Sequence, residues 1–446
     1  MKATEPNAAS SARAGALASE PRRRLRAIFV GSVGNLVEWY DFYAYAAFSL
    51  YFAGSFFPGT DPVVQQLKAA ILFSFGFIAR PLGGLLFGHI GDTYGRRKAL
   101  VLSVLLMCGG SLMIAVTPSY ATIGVAAPAL LGLARLIQGL SLGGEYGISA
   151  TYLSEVAGRK HRGAYSSFQY VTLLGGQLCA VIVLLLLERV FLTPAQLRAW
   201  GWRIPFAVGA LLAVSAMAMR RNLHETDHFV ATKTHVKRSA LRDLTKHPRE
   251  ILIVVGLTMG GTTAFYTYTT YMQKFLKLSV GLSDAQTTLV TAGALTFALV
   301  LQPIYGMLSD RVGRKPLLVW FGITGTLFTI PLLLALQSTK SALVAFFLLC
   351  GAWLIVTGYT SINAVVKAEL FPTHVRATGV GLPYAITVSI FGGTAESLAL
   401  WFKSIGHETW FYYYLTAVIA ASLLVYVGMR DTKHASRMDA LDDSSL

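Results

Sequence analysis

Charge is what this sequence has least of. Only 13% of its 446 residues are Asp, Glu, Lys or Arg, against 54% that are hydrophobic, and its mean hydropathy is +0.55. That balance is far too apolar for a soluble protein of this length. Cysteine is also scarce: Cys108, Cys179 and Cys350 all fall in apolar stretches without CxxC spacing, which argues against a disulfide framework or a thiolate metal site. The nine histidines are scattered, with no HExxH and no Walker loop, so metal-dependent hydrolysis and ATP-driven work find no support. Gly139-Leu-Ser-Leu-Gly143 spells a nucleophile elbow, but no strand precedes it. No enzyme, metal or cofactor is expected. The net charge of +16 is not gathered into a basic soluble domain, so nucleic acid is not an expected partner either.

What the chain has instead is long apolar runs, each beyond the roughly 18 residues that cross a bilayer as a helix. They predict an all-α membrane protein with twelve spans near 27–55, 67–90, 99–117, 124–152, 164–187, 203–220, 250–273, 285–308, 316–337, 341–368, 380–402 and 410–429. Lys and Arg concentrate in the N-terminal tail, the even-numbered connections and the C-terminal tail. By the positive-inside rule both ends are then cytoplasmic, and the basic excess reports topology and attraction to anionic headgroups. The expected organisation is a disordered cytoplasmic tail at 1–26, a six-helix bundle at 27–220, a cytoplasmic connection at 221–249, a second six-helix bundle at 250–429 and a cytoplasmic tail at 430–446.

The two halves repeat. Gly88-His-Ile-Gly-Asp-Thr-Tyr-Gly-Arg-Arg-Lys98 recurs as Gly306-Met-Leu-Ser-Asp-Arg-Val-Gly-Arg-Lys-Pro316, and Glu155 before Arg162 recurs as Glu369 before Arg376. A parallel repeat of six helices suits two bundles that hold substrate between them near mid-membrane. The matched charges predict a cytoplasmic gate of Asp92, Arg96, Glu155, Arg162, Asp310, Arg314, Glu369 and Arg376. In it, acids meet neighbouring helix ends and arginines and lock one conformation.

These paired loops, with Arg135-Leu-Ile-Gln-Gly139 and Gly201-Trp-Arg-Ile-Pro-Phe206, resemble the major facilitator superfamily over nearly the whole chain. Gly34-Asn35 with Glu38-Trp-Tyr-Asp41, Arg80-Pro-Leu-Gly-Gly84 and Gly143-Gly-Glu-Tyr-Gly147 look like its metabolite:proton symporter branch. Phe168-Gln-Tyr-Val-Thr-Leu-Leu-Gly-Gly-Gln177, Thr267-Tyr-Thr-Thr-Tyr-Met-Gln-Lys274, Lys367-Ala-Glu-Leu-Phe-Pro372 and Phe391-Gly-Gly-Thr-Ala-Glu396 are similar to the alpha-ketoglutarate permeases within that branch. The resemblance implies a two-bundle transporter in the cell inner membrane, working as a monomer, that takes up 2-oxoglutarate or a related dicarboxylate with protons. His89 and Thr93 depart from the more usual residues of the first loop copy, which bears on gating rather than class. The same fold carrying citrate, shikimate or a betaine- or proline-type osmolyte is the nearest alternative. A non-transporting sensor is another, although residues 430–446 are short for the tail such proteins add.

A charge at the centre of a membrane helix costs about 2.5–3.5 kcal/mol on insertion scales, so interior ionisable groups mark function or a paired structural role. Glu38, Asp41, Arg80, Arg135, Glu145, Lys367 and Glu396 are such groups. Glu38, Asp41 and Tyr45 share one face of the first span; Arg135, Gln138, Leu142, Glu145 and Ser149 form a stripe on the fourth. Asp41 and Arg135 lie at similar depth, so an ion pair between them is feasible. A substrate carboxylate that takes Arg135 would leave Asp41 to bind a proton, which makes Asp41 the expected proton-coupling residue. Glu38 and Glu396 accompany it, Glu396 either as a second proton site or as the partner of Lys403. Guanidinium matches carboxylate with two hydrogen bonds, so Arg135 and then Arg80 are the expected substrate ligands. Gln138, Tyr45, Gln169, Gln177, Tyr266 and Asn363 complete that set. Lys367 is expected to serve the gate or to snorkel.

Overall fold

The computed structural model describes residues 35–94, 96–143, 150–151, 153–154, 157–221, 243–372 and 375–438, the side chains of 88, 91–93, 96–100 and 216–221 excepted. The expected tail at 1–26, most of the central connection, and the side chains of Asp92, Arg96, Glu145 and Glu155 therefore lie outside the described residues. Among those described there is no strand. With no water in a bilayer to satisfy backbone amides, helices are the form in which such a chain crosses it.

The longer helices, in chain order, are the first at 35–56, the second as Pro62–Ile78 and Arg80–Tyr94, the third at Arg96–Val116 and the fourth at Ala126–Gly143. The fifth is Arg162–Leu186, the sixth Ile204–Arg221, and the seventh begins with Pro248–Tyr266. The eighth is Asp284–Val312, the ninth Lys315–Ser338, the tenth Ala342–Thr360 with Asn363–Leu370, the eleventh begins with Arg376–Thr387, and the twelfth is Glu408–Gly428. Nine of the described helices are long and apolar enough to cross a membrane, and Val101–Val116 and Gly201–Ser215 are shorter apolar helices. Large apolar side chains such as Val116, Phe191, Leu211, Leu343 and Leu424 stand exposed on the outside, where lipid tails rather than water would meet them.

Local signals explain the ends. Asp61 accepts from the Val63 amide at 2.8 Å with Pro62 at the first helical position, and Ser283 forms a capping box with Gln286 at the start of the eighth helix. The seventh helix departs from its expected end at 273. Two π-helical turns, Thr267–Tyr271 and Leu276–Val280, carry it on to Val280. The eleventh has a similar π turn at Val388–Gly392, just before Ala395–Ser404. π turns of this kind insert an extra residue into the helical ladder and re-aim the side chains that follow.

Close packing of the second and fourth helices fixes the centre of the first half. A Cβ on Gly139 would run into the Gly76 backbone, and one on Gly143 into the Arg80 backbone, so this small-xxx-small pair brings the two backbones together. Arg135, one turn earlier, is thereby pressed over the rings of Phe42, Tyr45 and Phe73 at 4.3, 4.7 and 4.7 Å. Gly139→Val should separate the helices at a cost of about 1–3 kcal/mol or more. Thermal unfolding of the purified protein in detergent should show a clearly lower midpoint, and an unchanged midpoint would refute this account of the contact.

Candidate functional site

Asp41 is fully buried on the first helix and turns into its own half of the molecule. Ser111 of the third helix donates to its Oδ2 in a short hydrogen bond. Gln138 Nε2 lies 3.4 Å from the same oxygen and 2.8 Å from Ser111 Oγ. The other face of Gln138 accepts from Arg135 Nη1 at 2.6 Å. Asp41 and Arg135 are thus joined through Gln138 rather than as a direct ion pair. Asp41 Oδ1 has no hydrogen-bond partner and packs where a side chain on Gly209 of the sixth helix would stand.

Arg135 is equally buried. Among the described residues its one hydrogen-bond partner besides Gln138 is the Phe42 carbonyl, at 3.4 Å, and its Nε and Nη2 have no hydrogen-bond partner. A guanidinium held on aromatic faces with two idle donors can take a carboxylate in a bidentate grip. Arg80 has the same character, lying 4.1 Å over Phe77, 4.5 Å over Phe42 and 5.1 Å from Trp39, with Nε and Nη2 unpartnered. Tyr45 stacks on Phe73 and donates to the Ala69 carbonyl at 3.0 Å. Glu38 is buried one turn before Asp41.

The other expected ligands come from both halves. Gln169 and Gln177 are both buried on the fifth helix, and Gln177 Oε1 lacks a partner. Tyr266 meets Phe77 edge to face at 4.9 Å across the two halves, its hydroxyl unpartnered. Asn363 accepts from Lys367 at 2.8 Å. Lys367 does not snorkel: it is wholly buried, its ammonium 3.7 Å from the Tyr384 ring centroid. The break in the tenth helix before Asn363 lets the last eight residues turn this lysine inward.

Of the two roles expected for Glu396, the pairing with Lys403 is not what the structure shows. Lys403, two turns along the same helix, instead meets Glu408 at 3.0 Å, because it sits at the helix end beside the turn that opens the twelfth helix. Glu396 pairs with Lys274 of the seventh helix at 3.1 Å. Sequence reasoning missed Lys274 because it ended the seventh span one residue short of it. The usable signal was the apolar run beyond it, Phe275, Leu276, Leu278 and Val280. Ser111 was also missed, since one hydroxyl in an apolar span reads as packing.

At the loop-bearing end, Asp310 accepts from the Gly163 and Ala164 amides at 2.8 and 2.9 Å. An acid of the second half thereby caps the fifth helix of the first, with favourable dipole electrostatics. Arg314 donates to Asp310 at 2.8 Å and to Ser309 at 2.6 Å, and stands 3.5 Å from Glu369. Thr432 donates to Glu369 at 2.6 Å, and Arg376 bonds the Phe371 carbonyl at 3.2 Å. Arg162 opens the fifth helix beside this cluster. Removing the cap with Asp310→Ala should loosen this end. A single cysteine replacing Ser167 should react several-fold faster with a membrane-impermeant maleimide in that background, and an unchanged rate would show that the contact does not hold this end closed.

Similarity to known proteins now bears on the site. The model of the sugar (and other) transporter family matches residues 27–248 and 237–440. The alpha-ketoglutarate permease of Escherichia coli K12 is 50% identical over 407 residues, covering 91% of this chain and 94% of that protein. The proline/betaine transporter of Salmonella typhimurium is 33% identical, covering 91% and 83%, and the citrate-proton symporter of Klebsiella pneumoniae 32%, covering 86% and 87%. The partially occluded, inward-open structure of the Escherichia coli xylose transporter XylE superposes with a TM-score of 0.71 at 18% identity, over 91% of this chain and 98% of the other. The multi-pass helical fold, its buried charged centre and these relatives together place the chain in the sugar (and other) transporter family of the major facilitator superfamily.

Proposed function

We propose that the protein is a secondary transporter that takes up 2-oxoglutarate, or a closely related dicarboxylate, together with protons by alternating access. The observation that carries the reading is Arg135. It is a buried cation with two unsatisfied donors on aromatic faces, linked through Gln138 to the buried acid Asp41. A cation kept in that state wants an anion. The 50% identity to the alpha-ketoglutarate permease supports 2-oxoglutarate as that anion.

Coupling follows from charge balance. In the arrangement described, Gln138 hands Arg135 a carbonyl and Asp41 an amide, so the acid shares the cation at one remove. A substrate carboxylate on Arg135 satisfies the guanidinium itself, and a buried carboxylate that loses its cationic support takes up a proton. Anion and proton then bind together. Moving the dianion with protons also avoids the opposition of the membrane potential, about 2.3 kcal/mol per charge per 100 mV. Arg80, Tyr45, Gln169, Gln177, Tyr266 and Asn363 line or support the binding region, Glu38 and Glu396 assist proton transfer, and the Asp92/Arg96/Glu155/Arg162 and Asp310/Arg314/Glu369/Arg376 clusters form the gate. Residues 27–220 and 250–429 act as the two rocking bundles, with both chain ends and residues 221–249 cytoplasmic. The carrier works as a monomer in the inner membrane, with the proton as its only coupling agent.

The same relatives include betaine and citrate carriers, so substrate is tested by counterflow of labelled 2-oxoglutarate against citrate, shikimate and glycine betaine. We expect 2-oxoglutarate to exchange best. Better exchange of any of the others would overturn the substrate assignment. Asp41→Asn should abolish concentrative uptake while leaving exchange, and uptake that stays concentrative would remove Asp41 from coupling. Arg135→Lys keeps the charge but loses the fork, and should raise KM about tenfold or more. An unchanged KM would show that Arg135 does not hold the substrate.

A further inference from the structure

A dicarboxylate brings two negative groups into a low-dielectric site, and Arg135 answers one of them. An unpaired buried carboxylate is costly, so a second cation is needed at the distance of a short carbon chain. Lys274 is a candidate for that cation in the second half. It is wholly buried, and its ammonium bonds Glu396 Oε1 at 3.1 Å, the Ala46 carbonyl at 2.6 Å and the Thr270 carbonyl at 3.2 Å.

Three observations argue that this is more than a static brace. The pair lies where the halves meet: Lys274 and Glu396 belong to the seventh and eleventh helices, while Ala46 belongs to the first. Arg135 lies against Tyr45 and Lys274 against Ala46, so the two cations border consecutive residues of one helix. Finally, Glu396 is buried yet keeps Oε2 without a hydrogen-bond partner. A pair optimised for stability would satisfy that oxygen, since buried ion pairs barely offset their desolvation even with every group bonded.

We propose that Lys274 holds the second carboxylate of the substrate and that Glu396 is the internal anion which occupies Lys274 when the carrier is empty. This inference rests on the dicarboxylate reading above. Among Asp41, Glu396, Arg135, Lys274 and the substrate, charge is conserved in both states. In the empty carrier Asp41 and Glu396 balance Arg135 and Lys274. In the loaded carrier the two substrate carboxylates balance the same cations, and Asp41 and Glu396 each hold a proton. The two halves thus contribute one cation and one acid apiece, and the dianion bridges them. Each π turn, at Thr267–Tyr271 and Val388–Gly392, precedes one member of the pair and aims it at the interface.

The test compares 2-oxoglutarate with 2-oxopentanoate, the same carbon chain without the second carboxylate, in proteoliposomes. Lys274→Gln combined with Glu396→Gln removes both charges and leaves no lone buried ion. This double variant should raise KM for 2-oxoglutarate, relative to KM for 2-oxopentanoate, about tenfold or more. Equal changes for both substrates, or no change for either, would overturn the assignment. Glu396→Gln alone retains Lys274 and should still bind 2-oxoglutarate, but the protons moved per substrate should fall by one. An unchanged proton count would also overturn it. Wild-type counterflow separates the two levels: wild type that fails to exchange 2-oxoglutarate defeats the substrate reading, whereas wild type that exchanges it beside indifferent variants defeats only this inference.

Discussion

Everything at the centre of this molecule depends on keeping charge balanced where there is no water to do it. Asp41, Arg135 and Lys274 are wholly shielded, and Glu396 nearly so. Such groups persist in a membrane protein only if partners lie within reach. The relay Ser111–Asp41–Gln138–Arg135 supplies them in the first half, and Lys274 with Glu396 in the second. Neither arrangement is complete. Asp41, Arg135 and Glu396 each leave at least one polar atom without a hydrogen bond.

The scaffold serves this centre at close range. Gly139 and Gly143 bring the fourth helix onto the second, which presses Arg135 onto aromatic faces instead of letting it reach a carboxylate directly. Gly209 leaves room for Asp41. At the loop-bearing end the logic is reversed. Asp310, Arg314, Glu369 and Thr432 bond one another and the fifth helix, closing a contact that alternating access would have to open. A transporter needs both kinds of place, one left short of partners and one that can be made and broken as a unit.

Much of this was legible in the sequence. Hydropathy and the placement of basic residues point to a many-span membrane protein, and the recurrence of the Gly88 loop at Gly306 points to two halves. The face shared by Asp41 and Tyr45, and the stripe from Arg135 to Gln138, are matters of helical spacing. What spacing could not supply was the intermediary. Gln138 stands between Asp41 and Arg135 because the fourth helix is rotated and seated by its glycines, a tertiary effect. Lys274 escaped because the sequence reading ended its span at 273, whereas the helix runs on through π turns to Val280. Glu396 was left between two roles, a second proton site and the partner of Lys403, because a helix end and a mid-helix site cannot be told apart before the neighbours are known. The resemblance of whole motifs carried the substrate class, which no periodicity in the chain specifies.

The central claim is that anion and proton move together. Its most direct test is uptake of labelled 2-oxoglutarate into proteoliposomes containing the wild-type protein, with a pH gradient imposed across the membrane. The account predicts accumulation that follows the gradient and collapses when an ionophore dissipates it. Uptake of the same rate and extent with and without the gradient would contradict it.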